Sequence, residues 1–118
     1  MDSWRVDYYV SASGNNPVSD FLDNLDKQTQ SKLLRIVSNI EEYGLLSVIP
    51  HVKKLTGSPF WEIRILGKSN ARVVYVVPTK TKVLLLHGFI KKTEKTPLKE
   101  IEIAQNRYKK YLLTENST

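Results

Sequence analysis

The chain of 118 residues contains no cysteine. That absence removes disulfides, thiolate zinc sites, iron–sulfur clusters and cysteine nucleophiles together. Two histidines, His51 and His87, are too few for a histidine-rich metal centre. No apolar run approaches the roughly 20 residues that a membrane helix requires. The opening Met1-Asp2-Ser3-Trp4-Arg5-Val6-Asp7 lacks the basic-then-apolar order of a secretion signal. There is no glycine-rich phosphate loop of the G-x-x-x-x-G-K type. Nor is there a carboxylate cluster to hold magnesium, Glu62 being the only acid in the strand-rich stretch 61–90. Internal repeats and low-complexity tracts are absent too. The expectation is a cytoplasmic protein, off the membrane, that works without cofactor or metal. A hydrophobic content of 41% with 25% charged residues fits one globular domain over residues 1–118, long enough to bury a core without staples.

Charge is what the chain has in excess, and it is unevenly placed. Eighteen basic residues face twelve acidic ones, a formal net charge of +6. Residues 1–50 carry four basic and seven acidic residues, a net of −3, whereas residues 51–118 carry fourteen and five, a net of +9. One half of the chain is built to meet something negative, with nucleic acid the first candidate and an acidic protein the second. The plainer alternative is a solvated face that only aids solubility.

Hydrophobic periodicity supplies the fold. Trp4, Val6, Tyr8 and Val10 alternate with polar neighbours, the pattern of a half-buried strand. Asn16 before Pro17 suits a helix start, because asparagine caps and proline at the first position loses no useful N–H. Val18, Phe21, Leu22 and Leu25 follow at helical spacing. Asp26 can cap a second helix bearing Leu33, Ile36, Val37, Ile40 and Tyr43, with Gly44 as its stop. Residues 45–59 read as a connection. Residues 61–65, 72–77 and 82–90 then read as three strands joined by short turns, hence an antiparallel meander. The near-continuous apolar run of 82–90 predicts a central strand covered on both faces over much of its length. Thr96-Pro97 repeats the cap-plus-proline start before a helical stripe of Leu98, Ile101, Ala104, Tyr108 and Tyr111. Residues 113–118 read as a frayed tail. The fold class is therefore α+β: an N-terminal strand, a helical hairpin, a three-stranded antiparallel meander and a C-terminal helix, with the helices packed on an antiparallel sheet.

The basic residues cluster at strand ends and in connections. His51, Lys53 and Lys54 precede the meander, Arg64 and Arg72 flank its first turn, and Lys91, Lys92 and Lys95 follow its last strand. In a meander these groups can converge on one surface suited to a phosphodiester backbone. Cleaving that backbone without metal needs a base, a cation for the non-bridging oxygens and an acid for the leaving oxygen. RNA brings its own nucleophile in the 2′-hydroxyl. A lysine crowded by cations can act as base, and arginine holds phosphate with two hydrogen bonds. Each residue has a structural alternative. Arg64 could pair with Glu62 on the same strand face. His87, among Leu84, Leu85, Leu86 and Phe89, could be a hydrogen-bonded, half-buried histidine or a base. Trp61 reads as core or helix-facing, with base stacking its rival. Tyr108 and Tyr111 read as helix-face packing.

Several runs carry a family resemblance. Pro50-His51-Val52-Lys53-Lys54-Leu55-Thr56-Gly57, Trp61-Glu62-Ile63-Arg64-Ile65 and Ala71-Arg72-Val73-Val74-Tyr75 resemble the RelE/ParE toxin superfamily. The run Leu85-Leu86-His87-Gly88-Phe89-Ile90-Lys91-Lys92-Thr93-Glu94-Lys95-Thr96-Pro97, followed by Glu100-Ile101 and Ala104, is more specific. With Pro17-Val18 and Phe21-Leu22 it resembles the HigB-type, phage-derived branch. The similarity spans residues 4–112. It implies the toxin of a type II toxin–antitoxin pair, an endoribonuclease that cleaves mRNA on the ribosome without metal and leaves a cyclic phosphate. It implies a small helix-turn-helix antitoxin as partner in a heteromeric complex. It implies a catalytic or phosphate-binding role for Lys54, a grip on the scissile phosphate for Arg64 and Arg72, and a late basic role for Lys91 or Lys92. His87 stands as a further catalytic candidate, and the charge pattern adds His51, Lys53, Lys91 and Lys95 as RNA-binding residues. The segment after the last strand holds no aromatic ring before Tyr108, so Lys54, His87 and Lys92 all stand as candidates for the base.

Two rival functions share these residues: a gyrase inhibitor on the same fold, and a basic module that binds nucleic acid or protein without cleaving. The +9 of residues 51–118 predicts that affinity for RNA or ribosomes falls steeply with added salt. Equilibrium binding across a salt series checks this, and a flat profile between low and moderate salt contradicts it.

Overall fold

In the computed structural model, which describes residues 3–116, the N-terminal alternation forms strand β1 (Arg5–Tyr8). Asn16 caps α1 (Pro17–Asp23) as its spacing predicts, its side chain accepting from the Ser19 N–H at 3.3 Å. Asp26 caps α2 (Lys27–Tyr43), accepting from the Thr29 N–H at 3.1 Å and the Thr29 hydroxyl at 2.6 Å. It also accepts from Ser69 at 3.0 Å, which ties the start of α2 to a distant turn. The Thr29 bonds lead in holding its carboxyl down at about 2. Gly44 ends α2 at φ +90°, a conformation that favours glycine.

The connection at 45–59 is more ordered than a loop. A 3₁₀ helix, Leu45–His51, leads into a three-residue strand, β2 (Val52–Lys54). Three residues give too short an alternation to distinguish a strand by pattern, and Pro50 suggests a break. The meander follows as β3 (Trp61–Ile65), β4 (Ala71–Thr79) and β5 (Lys82–Ile90). β4 runs on through Pro78, so the second turn is shorter than the sequence suggests.

The sheet order is β1-β5-β4-β3-β2. All its pairings are antiparallel except one: β1 lies parallel to β5, with Arg5 opposite Lys82. The sheet is therefore mixed, where a purely antiparallel one is expected from the sequence. The cause is the helical hairpin, which returns the chain to the far side and leaves β1 to add beside the last strand.

The two faces carry separate cores. Ile63, Ile65, Val73, Tyr75, Val83 and Leu85 pack with Val18, Leu22, Leu33 and Ile40 of the helical hairpin. Phe60, Val74, Val76, Leu84, Leu86 and Phe89 form the other core with Ala104, Ile101, Tyr108 and Tyr111 of α3 (Leu98–Asn116). The tyrosines pack as read: Tyr108 meets Phe60 edge-on at 6.1 Å and stacks near Tyr111 at 6.3 Å. α3 reaches Asn116 rather than fraying from 113, while residues 117–118 of that expected tail lie outside the described residues. Among the described residues, no helix is long and apolar enough to cross a membrane.

A register shift marks β5. Val74 opposes His87 but Tyr75 opposes Leu85, so one extra residue enters β5. This bulge turns both Leu86 and His87 toward α3 and puts Gly88 toward the hairpin. There Phe21 leaves no room: a Cβ on Gly88 would stand 2.2 Å from its ring. Gly88→Ala should therefore cost about 1–3 kcal/mol by overpacking. Thermal unfolding of Gly88→Ala, alone and with Phe21→Leu, checks this; the double variant should recover part of the loss.

Candidate nucleic-acid interface

The α3-side face of the sheet positions the basic residues. Arg64 in β3 stands directly opposite Arg72 in β4, and Arg72 stands opposite Phe89 in β5. Like charges directly across a strand pair repel, so this pair needs a counter-charge. Glu62 supplies it from two residues along β3, on the same face, opposite Lys53 of β2.

Glu62 is completely buried. Its Oε2 accepts a hydrogen bond from the Thr96 hydroxyl at 2.7 Å. Its Oε1 lies 3.7 Å from Arg72 Nε and 3.9 Å from Lys91 Nζ. Those are ion-pair distances, too long for hydrogen bonds. Glu62 Oε1, Arg72 Nε and Arg64 Nε are thus all buried without a hydrogen-bond partner. Burial lowers the Arg72 pKa, Glu62 opposes that shift and Arg64 adds to it. Arg72 also donates to the Ala71 carbonyl at 3.1 Å. The Glu62 partners are Arg72, Lys91 and Thr96, not the Arg64 that strand alternation offers.

Two clefts open beside this carboxylate. One, of about 560 Å³, is lined by Asn70, Arg72, Lys91, Lys92, Thr93 and Glu94. The other, of about 410 Å³, is lined by Lys53, Lys54, Leu55, Thr56, Lys95, Thr96 and Ile101. Glu62 connects them, since Arg72 and Lys91 belong to the first and Thr96 to the second. Lys54 donates to the Ser58 carbonyl and sits 5.5 Å from the centre of the Trp61 ring. Trp61 is 36% exposed rather than core, at the start of β3 beside Lys54, where the short β2 ends.

The structure separates three predicted residues from these clefts: His51, His87 and Arg64, which lines neither of them. His51 is exposed on the α2 flank, where it lines a pocket with Arg64, Lys32 and Arg35. His87 is buried under α3 with both ring nitrogens engaged. Arg107 lies 3.2 Å from its Nδ1 and Glu100 lies 2.9 Å from its Nε2. Because arginine can only donate, Nδ1 accepts and Nε2–H donates to Glu100. The ring also stacks on Phe89, with centroids 5.7 Å apart. His87 is thus the half-buried, hydrogen-bonded histidine of the two alternatives, locking β5 to α3.

Sequence reasoning missed Thr96, Glu100 and Arg107. Thr96 reads as a helix cap, yet its hydroxyl is committed to Glu62. Glu100 and Arg107 lie seven residues apart, two helical turns, so a shared face was available as a signal. Among the described residues, no three His, Asp or Glu side chains gather to hold a metal ion.

The phage-derived Gp49-like family model matches residues 20–109. Among solved structures, a mutant of the Escherichia coli toxin RelE in the free state, with two arginines replaced by alanine, aligns with a TM-score of 0.59 at 17% identity, covering 90% of this chain and 98% of that one. The YoeB–YefM toxin–antitoxin complex of Staphylococcus aureus aligns with a TM-score of 0.49 at 19% identity, covering 78% and 99%. The likeness to RelE is one of fold. No curated protein sequence matches the chain significantly.

Burial, the leading cause, holds the His87 pKa below its ordinary 6.5, outweighing the Glu100 hydrogen bond. The unfolded chain therefore takes up this proton first, and stability is complete above the unfolded value and declines as pH falls through it. Denaturant unfolding between about pH 7.5 and about pH 5.5 should show that decline, with a smaller one in His87→Gln. Equal declines in both proteins would remove His87 as the cause.

Proposed function

The chain belongs to the phage-derived Gp49-like family, and from that premise we propose that it is the toxin of a type II toxin–antitoxin pair, a HigB-type endoribonuclease. It acts in the cytoplasm on mRNA held by the ribosome, and a helix-turn-helix antitoxin neutralises it. The observation that carries this reading is the set of cations around Glu62 whose N–H donors are not all used within the protein. The RelE fold supports it, RelE itself being a toxin.

In this reading the RNA 2′-oxygen attacks the adjacent phosphorus and the bond to the 5′-oxygen breaks. The products are a 2′,3′-cyclic phosphate and a new 5′-hydroxyl. Arg72 and Lys91 hold the non-bridging oxygens, where charge grows in the transition state, and Arg64 adds positive charge from the neighbouring strand. Lys92, exposed on the rim of the Arg72 cleft, and Lys54, beside Lys53 and Lys95, are the candidates for proton transfer. His87 has no part in the chemistry, since both its nitrogens are bonded. Lys53 and Lys95 guide the strand along the second cleft.

Controlled expression in bacteria, with mapping of mRNA 5′ ends within minutes, tests the proposal. New ends should appear in translated regions. Arg72→Lys keeps a charge for Glu62 but loses the two-pronged grip on phosphate, so cleavage should fall about 10²–10³-fold. Growth arrest with intact mRNA would instead favour a gyrase inhibitor. No arrest would leave a binding module.

A further inference from the structure

On the α2 flank a pocket of about 280 Å³ lies apart from both clefts. Lys32, Arg35 and Asn39 of α2, His51, and Arg64 of β3 line it, and exposed Leu66 gives it an apolar surface. No acidic residue lines it. Among the described residues, the side chains of Arg35 and His51 have no hydrogen-bond or ion-pair partner. Arg64 Nε is buried without one. Lys32 gives one N–H to the Leu66 carbonyl at 2.7 Å and keeps two more.

Cations ringed around an apolar hollow match what one nucleotide offers, an anionic phosphate joined to a flat base. The volume sits just below the range of about 300–1,000 Å³ typical of small-ligand pockets, enough for a single unit. Arg64 links this pocket to the clefts. It opposes Arg72 across the sheet and also borders this pocket.

We propose that this pocket is a subsite for one nucleotide of single-stranded RNA flanking the cleaved bond. Arg35 and Lys32 grip its phosphate, and its base lies over Leu66. The subsite rests on the RNA-cleaving reading, but its occupancy can be measured without cleavage.

The probes are a short single-stranded oligoribonucleotide with 2′-O-methyl groups, which blocks the attacking hydroxyl, and 5′-AMP. Each is titrated into the full chain at several salt concentrations. Arg35 is exposed, so Arg35→Ala should keep the wild-type thermal unfolding curve. It should weaken oligoribonucleotide binding about tenfold and reduce the slope of log affinity against log salt by about 0.7. Unchanged affinity in Arg35→Ala, with a loss in Arg72→Lys, would overturn the subsite and leave the nuclease reading intact. The Arg35→Ala loss without new mRNA ends on expression would keep the pocket as a single-stranded RNA site and remove both the nuclease reading and the placement beside a cleaved bond. Tight 5′-AMP binding with no gain from the oligoribonucleotide would overturn the strand subsite in favour of a free-nucleotide site. A loss confined to antitoxin binding would overturn it in favour of a protein contact.

Discussion

One buried carboxylate ties four segments together. Glu62 lies in β3, Arg72 in β4, Lys91 just past β5 and Thr96 just before α3, and all meet at its two oxygens. Removing one partner of a buried ion pair costs about 3–5 kcal/mol, because the remaining charge stays stranded. The basic surface therefore cannot be separated from the architecture beneath it. Thr96 ties the chain just before α3 to Glu62, and α3 in turn covers His87 and closes the second core. The long Oε1 contacts hold the cations near Glu62, so a structural anchor and the basic surface share the same residues.

The bulge in β5 performs a second division of labour. By spending two consecutive residues on the α3 side, it lets Leu86 join the core while His87 bonds Glu100 and Arg107. The next residue, Gly88, then faces the hairpin, where Phe21 occupies the space of a side chain. One local irregularity thus sets the docking of helices on both faces of the sheet.

Much of this was readable from the chain. The caps at Asn16 and Asp26, the stop at Gly44 and the three meander strands follow from local rules whose causes lie within a few residues. The parallel placement of β1 does not, because a pairing between residues 5 and 82 has no local signature. β2 was hidden by its length and by Pro50. Among the basic residues, alternation put Arg64 and Arg72 on one face. It did not foretell that Glu62 would bypass Arg64, since that depends on how β4 and the segment after β5 meet. His87 illustrates the same limit: its apolar neighbours signalled burial, but its partners come from a helix thirteen and twenty residues away.

The parallel pairing of β1 with β5 also orders events in time. Arg5 meets Lys82 only after the intervening chain exists. At a synthesis rate of about 5–20 residues per second, β1 waits roughly 4–15 s for its partner. Lys91 and Thr96 emerge later still, so the Glu62 cluster is among the last features to close. A nascent chain therefore passes most of its synthesis with its fold open and its cations scattered, and the assembled basic surface belongs to the finished protein alone.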